Sequence, residues 1–283
     1  MFSSGYIAVA GRPNAGKSTL INSIVGEKVA IISNKPQTTR NNIIGIKSGK
    51  DFQIIFVDTP GIHHSQNHLD KFMNKSVRSA LAGVDLIVYL VDGTKIIDDE
   101  EKEYIEKLKA KDTPVMVVIT KTDKPQKCEY DADLKISSLN GNNLNALQEE
   151  IIKKLPQYDY ENYLYDPELY TDKSLKFLVA ENIREVALKL LNKEIPHGIA
   201  VEITRFEEKE NLTVIEADIV CEKDTHKGII IGKGGQTLKK IGEGARKECE
   251  NLLQTKVLLK LFVKVEQDWR NKPNKLSMFG YKE

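Results

Sequence analysis

The chain has 283 residues, 40% hydrophobic and 29% charged, with a net charge of +1. That is the composition of an ordinary soluble globular protein, long for a single core and suited to about two domains. No apolar run approaches the roughly 20 residues that cross a bilayer, and the cysteines Cys128, Cys221 and Cys249 lack metal-ligand or disulfide spacing. They read as reduced thiols of a cytoplasmic protein.

The first stretch, MFSSGYIAVAGRPN, has no basic leader, so no signal peptide is expected. Up to about Leu155, apolar runs rich in Val and Ile (YIAVA, IIGIK, FQIIFV, DLIVYLV, VMVVIT) alternate with amphipathic stretches at Lys17–Val25, Leu69–Ala82, Asp99–Lys109 and Asn143–Lys154. Strands apolar on both faces and separated by helices predict an α/β domain, a mostly parallel sheet with helices on both faces. IIGIK and FQIIFV are too close for a crossover helix and read as an antiparallel hairpin around Ser48, Gly49 and Lys50. Leu155–Asp172 breaks the pattern with five tyrosines, several acids and two prolines, and reads as a linker packed along a surface.

After it comes an amphipathic helix, SLKFLVAENIREVALKLLNKE. Two strands follow, GIAVEITRFEE and LTVIEADIVCE, with a turn near Glu210 and Asn211. A short helix, a glycine loop, the helix QTLKKIGEGARKECENLL and the strand KVLLKLFVKVEQ complete the order αββααβ. The expected division is residues 1–157, a linker at 158–172, and a second domain with a terminal tail at 173–283. Charge is uneven: residues 171–222 carry 7 Lys/Arg against 11 Asp/Glu, residues 223–275 carry 13 against 6. The later stretch is either a phosphate-binding face or a solvated surface with uneven charge.

GRPNAGKS, between a strand and a helix, fits the phosphate-binding loop G-x-x-x-x-G-K-[ST]. Residues Gly11, Arg12, Pro13, Asn14, Ala15, Gly16, Lys17, Ser18 and Thr19 are expected around the phosphates. Gly11 and Gly16 let the backbone wrap them, Lys17 supplies charge, and the Ser18 hydroxyl can ligate Mg²⁺. DTPG ends the strand FQIIFV, so Asp58 is a candidate to hold Mg²⁺ and the Gly61 amide to meet the terminal phosphate, with Thr59, Pro60 and Ile62 beside it. TKTD ends the strand VMVVIT. A carboxylate at Asp123 can accept from N1–H and the N2 amine of guanine, a pair that adenine lacks, and Lys121 can lay its stem along the base. ISSLNG offers the amides of Ser137, Ser138 and Leu139 to the guanine O6.

PQTTRNN lies between the first two motifs. Thr38 and Thr39 both qualify to complete the Mg²⁺ shell and sense the γ-phosphate, with Thr39 preferred; a polar surface turn is the alternative. The expected catalytic set is Lys17, Thr39 and Gly61, and the metal set Ser18, Thr39 and Asp58. Four motifs in this order resemble those of GTPases. Two departures stand out. Thr120 occupies the usual asparagine position, so a loop-tethering hydrogen bond is expected to weaken. Ile62 replaces a water-orienting glutamine, so intrinsic hydrolysis should be slow. His63 and His64 follow it and read as solvated rather than catalytic.

GKGG is not a second phosphate loop of that kind, because no G-K-[ST] follows. G-x-x-G between two helices in the order αββααβ resembles a type II KH domain, an α+β fold. Gly232, Lys233, Gly234, Gly235, Lys239, Lys240 and Arg246 are then the expected contacts to single-stranded RNA; a structural helix turn is the alternative. GRPNAGKST, PQTTR, DTPGIH, TKTD, FLVAENIRE, IIIGKGGQTLKKIG and VEQDWRNKPNKLSMFGY together resemble the Era family of GTPases over nearly the whole chain.

That resemblance implies GTP and GDP as ligands with Mg²⁺. It implies hydrolysis coupled to binding the 3′ end of small-subunit ribosomal RNA, in aid of small-subunit assembly. Ala15 and Thr120 depart from the commonest family residues without removing a needed group. Asn14 matches an asparagine that in related GTPases helps hold K⁺. A monomer is expected in the cytoplasm. Peripheral association with the cytoplasmic face of the membrane finds support here only in the basic C-terminal stretch, which RNA explains equally well. The competing readings are an RNA-binding adaptor with a degenerate nucleotide site, and a membrane-associated signalling GTPase whose last domain binds protein or lipid.

Overall fold

The computed structural model describes residues 1–33, 35, 38–58, 67–192 and 194–281, with Arg78 described by its backbone alone. The chain divides into two units. One comprises Met1–Ala30, Thr39–His63 and Met73–Asp172, the other Ile31–Thr38, His64–Phe72 and Lys173–Glu283.

In the first half of the chain the elements are β1 (Phe2–Gly11), α1 (Lys17–Val25), β2 (Ile43–Gly49), β3 (Phe52–Asp58), α2 (His68–Ala80), β4 (Leu86–Asp92), α3 (Asp99–Lys109), β5 (Val115–Thr120), β6 (Leu134–Lys135), α4 (Leu144–Lys154) and β7 (Gln157–Tyr158). The sheet order is β2-β3-β1-β4-β5-β6, with β7 antiparallel to the start of β1. Strands β3, β1, β4, β5 and β6 run parallel, and β2 forms the expected hairpin with β3, Ile43 opposite Asp58.

Alternate residues feed two cores, because successive Cβ atoms point to opposite faces. Ile7, Val9, Ile54, Phe56 and Val88 pack with Leu20 and Ile21 of α1 and Leu147 and Ile151 of α4. Ala8, Ala10, Ile87, Tyr89 and Val91 pack with Ile105 and Leu108 of α3. Each fully buried Val, Leu, Ile or Phe side chain contributes about 1.5–3 kcal/mol. Phe56→Ala, at a site of zero exposure, would cost about 3–5 kcal/mol. The parallel arrangement brings the C-terminal ends of β1, β3, β4 and β5 to one edge, where ligands of such sheets bind.

The tyrosine-rich segment lies on this unit. Gln53, fully buried, accepts from the amides of Leu164 (2.7 Å) and Tyr165 (2.9 Å) and donates to the Tyr165 carbonyl. The Tyr163 ring sits 4.7 Å from Phe2, while Tyr160 and Tyr170 remain exposed.

The second unit contains α5 (Leu175–Leu190), β8 (Ala200–Lys209), β9 (Leu212–Cys221), α6 (Asp224–Ile231), α7 (Gln236–Leu253), β10 (Lys256–Val265) and α8 (Pro273–Met278). Its sheet has the order β10-β9-β8, with β10 parallel and β8 antiparallel to β9. Val179, Ile183 and Ala187 of α5 and Ile241, Ala245 and Cys249 of α7 cover Ile215 and Ile219 of β9. Ser174 caps α5, accepting from the Phe177 amide at 3.3 Å.

Residues 266–281 are more than a tail. Trp269 is fully buried, donates to the Gly198 carbonyl at 3.0 Å, meets Phe279 edge-on and stacks on Tyr281. Ile31 joins this core. Arg184, 1% exposed and paired with Glu181, donates to the Thr38 carbonyl, and Glu185 accepts from the Ile32 amide.

Candidate functional site

The loop after β1 is tightly built. Gly11 has φ 143°, and a Cβ there would lie 2.5 Å from the Leu90 carbonyl, so only glycine fits. Asn14 is left-handed at φ 65° and Gly16 has φ 103°. Helix α1 starts at Lys17 with no side-chain cap, so its first amides face the loop as the positive end of a dipole. Lys17 Nζ donates to the Gly11 carbonyl (3.0 Å) and the Arg12 carbonyl (3.1 Å). Burial pulls the Lys17 ammonium below its ordinary range, and Asp58 works against that shift. An anion in the loop would complete the charge balance.

Arg12 grips the capped start of α3, with two bonds to Asp98 (2.6 and 2.7 Å) and Glu101 at 3.5 Å. The Asp98 hydrogen bond holds the guanidinium above its usual range. Pro13 is exposed, Ala15 is buried, and the Thr19 carbonyl accepts from Ser23.

Ser18, Asp58 and Thr39 converge. The Ser18 hydroxyl donates to Asp58 Oδ2 at 2.6 Å and lies 3.1 Å from Thr39 Oγ1, which is 3.3 Å from the same carboxylate oxygen. Two hydroxyls and a fully buried carboxylate make a hard oxygen donor set suited to Mg²⁺. Thr38 turns elsewhere and donates to the Lys35 carbonyl at 2.6 Å. Thr59, Pro60, Gly61, Ile62, His63 and His64 lie outside the described residues.

At the end of β5 the structure departs from the expected weak tether. Thr120, 2% exposed, donates to the Ala15 carbonyl at 2.8 Å and reaches the Val91 carbonyl at 3.1 Å. The strand end sits close enough for a short hydroxyl to tie the phosphate loop. Lys121, left-handed at φ 61°, donates to the Asn14 carbonyl (2.7 Å) and pairs with Asp92 (2.6 Å). Asp123 is exposed and accepts from the buried Ser137 hydroxyl at 2.5 Å, which holds its carboxyl below the usual range. The Ser137 amide is engaged with the Asn142 carbonyl, and the Ser138 carbonyl accepts from Ser23. Leu139 is exposed.

In the second unit, GKGG joins α6 to α7. Gly232 has φ 74°, and a Cβ on it would fall 2.2 Å from Thr237 Oγ1. Gly234 (φ 58°) and Gly235 (φ 76°) face open space. Helix α7 carries no side-chain cap, so its first amides face outward beside the loop. Lys233, Lys239, Lys240 and Arg246 are all exposed, Lys239 and Arg246 lying two turns apart on one face. Ile229 offers apolar surface next to the loop.

The chain matches the family described as 50S ribosome-binding GTPase over residues 6–121 and the KH domain family over residues 194–270. It is 45% identical to GTPase Era of Clostridium botulinum and 44% identical to GTPase Era of Clostridioides difficile, with 100% of each chain covered. The chain belongs to the Era family of GTPases. Two solved Era structures superpose over 100% of both chains. One is an Aquifex aeolicus Era variant bound to GDP and aluminium fluoride (TM-score 0.90, 36% identical). The other is Era with MgGDPNP and nucleotides 1506–1542 of 16S ribosomal RNA (TM-score 0.91, 37% identical).

Membership in the Era family makes the chain a GTPase, with a P-loop domain and a KH domain. Among the described residues, no helix is long and apolar enough to cross a membrane. Sequence reasoning missed three parts of the site. Asp98 and Glu101 fix Arg12, and Asp92 fixes Lys121. An acid at a strand end or in a helix cap has an ordinary local role, and only the fold shows what it faces.

Proposed function

We propose that the P-loop unit binds GTP with Mg²⁺ and hydrolyses it, and that the KH unit binds the 3′ end of small-subunit ribosomal RNA to assist assembly of that subunit. The observation that carries the nucleotide half is the convergence of Ser18, Asp58 and Thr39 beside the buried Lys17. The RNA half is supported by the open GKGG loop, the exposed cations along α7, and the ribosomal RNA held by the Era structure to which this chain is similar.

The roles follow from the chemistry. Loop amides and Lys17 receive the phosphates, and they stabilise charge that develops on them during hydrolysis. Ser18, Thr39 and Asp58 would hold Mg²⁺, which supplies neutralisation of the outer phosphate oxygens. Asp123, oriented by Ser137, accepts from the guanine ring; the amides of Ser138 and Leu139 serve O6. Asn14 helps hold a K⁺ ion beside the phosphates, so turnover should be several-fold faster in K⁺ than in Na⁺. Equal rates in the two salts would remove that ion. The reading places a monomer in the cytoplasm and needs no membrane contact to explain the basic stretch.

Crosslinking in cells, followed by sequencing of the bound RNA, tests the whole. Enrichment of the small-subunit 3′ end, lost when Gly235 becomes Asp, is the expected result. Crosslinks scattered over unrelated RNA, or none, would sink the ribosomal reading. GTP turnover by the purified chain tests the nucleotide half separately.

A further inference from the structure

Asp92 ends β4, between the strand that feeds the phosphate loop and the strand that feeds the guanine loop. It is 8% exposed. One carboxylate oxygen accepts from Lys121 Nζ at 2.6 Å. The other accepts from the Thr94 amide (3.1 Å) and the Thr94 hydroxyl (2.7 Å), so a local turn aims the group. A second cation, Lys95, is exposed and stands 3.9 Å away.

The Lys121 ammonium also donates to the Asn14 carbonyl. Both residues joined this way are left-handed without being glycine, Lys121 at φ 61° and Asn14 at φ 65°. Such conformations are disfavoured for residues with a side chain and persist where surroundings impose them. Gly93 completes the platform. Its carbonyl accepts from the amides of Lys127 and Cys128, its amide donates to the Thr120 carbonyl, and a Cβ on it would lie 2.0 Å from Gln126. Burial pushes the Asp92 carboxyl up, but hydrogen bonds from Lys121 and Thr94 outweigh it and leave the group below its usual range. It is therefore a standing counter-ion.

We infer that Asp92 is a positioning residue for guanine-nucleotide binding, acting through Lys121 to lock the base-binding loop against the phosphate loop. The inference rests on the nucleotide site proposed above. It gives Lys121 two anchored bonds at its head, so that its stem is held straight along the plane where the base would lie. Without the carboxylate, the ammonium has one carbonyl and solvent, and both left-handed residues lose a common constraint.

The test is a double-mutant cycle on the full chain, with GDP dissociation constants from a fluorescent analogue. Asp92→Asn should weaken GDP about tenfold, the scale of one charge-assisted hydrogen bond at a partly exposed lysine. Lys121→Ala should weaken it at least as much, and Asp92→Asn should add nothing in that background. Asp92→Glu should recover part of the loss. Thr94→Val keeps the charge but not its aim; it should weaken GDP about threefold and serves if Asp92→Asn melts early without nucleotide. If Lys121→Ala weakens GDP while Asp92→Asn does not, or if the two losses add in full, Asp92 has no such role. If Lys121→Ala leaves GDP affinity unchanged, the guanine-site reading itself fails and takes this inference with it.

Discussion

In the loop Gly11–Ser18, contacts within the loop, from Lys17 to the Gly11 and Arg12 carbonyls, are joined by contacts from elsewhere in the fold: Thr120 from β5, Lys121 with Asp92 behind it, and the acids of α3 on Arg12. In the loop Gly232–Gly235, the backbone stands nearly alone. Two of its three glycines face nothing, and only Gly232 is confined, by Thr237 of the adjacent helix. On the proposed function, the first loop surrounds a compact polyanion and must hold its shape through hydrolysis, whereas the second must let an extended chain approach, and bulk beside it would obstruct that chain. Glycine serves close packing against Leu90 in one case and unobstructed access in the other.

The comparison breaks most sharply at Asp123, the carboxylate proposed to select the base. Asp123→Asn should lower GTP affinity by about 100-fold or more, since hydrogen bonds to a charged group contribute about 1.5–3 kcal/mol and the remaining amide presents the wrong polarity. Xanthine nucleotides should gain where guanine loses. RNA binding to the nucleotide-free protein should not change. A mutant that binds GTP as the parent does would remove Asp123 from the base site. Because the Ser137 hydroxyl holds this carboxyl low, guanine binding should persist as pH falls through the ordinary carboxylate range. Ser137→Ala should raise the pH at which it is lost.

Much of this was legible in the sequence. Strands such as FQIIFV are apolar on both faces, so their period and the parallel sheet could be read directly. The amphipathic stretches Lys17–Val25 and Asp99–Lys109 coincide with the observed helices. The motif residues Lys17, Ser18 and Asp58 sit at strand ends or loop–helix junctions, where local pattern alone places them. Less legible were contacts that carry no period. Arg184 and Glu185 look like the solvated face of an amphipathic helix, yet they are 1% and 2% exposed against Ile32 and Thr38. The C-terminal segment reads as a tail because it is short and carries no clear helix or strand period, but Trp269 seats it in the fold. Thr120 reads as a weak tether because the length of a side chain says little until the distance it must span is known.

In the second loop the largest effect should come from Gly235→Asp. Its φ of 76° is unfavourable for any side chain, and the carboxylate would stand at the uncapped start of α7, where RNA phosphate is expected. RNA affinity should fall by about 30-fold or more while GTP affinity holds. Gly235→Asn tolerates the left-handed backbone without the charge, and it should lose several-fold less. Equal losses for the two would mean that backbone strain, not phosphate repulsion, governs this position.

Thr120→Val tests whether the first loop depends on its tethers. The change is nearly isosteric and leaves the Ala15 and Val91 carbonyls without their donor. At about 1–2 kcal/mol for an unmet buried hydrogen bond, nucleotide affinity should drop about five- to thirty-fold by equilibrium titration. Thr120→Asn should restore a donor and most of the affinity. If Val is silent, the loop holds itself and resembles its counterpart more than the hydrogen bonds suggest.

Lys239→Ala should be the mildest change, and it sharpens what the second loop does for itself. The Lys239 side chain is 77% exposed, and its nearest acid, Glu243, is 4.0 Å away. It is therefore a mobile charge and not a fixed donor, suited to phosphate rather than to base edges. Removing it deletes one counterion-releasing contact. The slope of log affinity against log salt should shrink by about 0.7, the value per phosphate on a single strand. The loss at physiological salt should be a few-fold and uniform across RNA sequences, because phosphates carry no sequence. Titrations of two unrelated single strands at four salt concentrations would measure both quantities. A loss confined to one sequence would mean that Lys239 reads a base, and the division between a backbone-reading loop and its cationic surround would have to be redrawn.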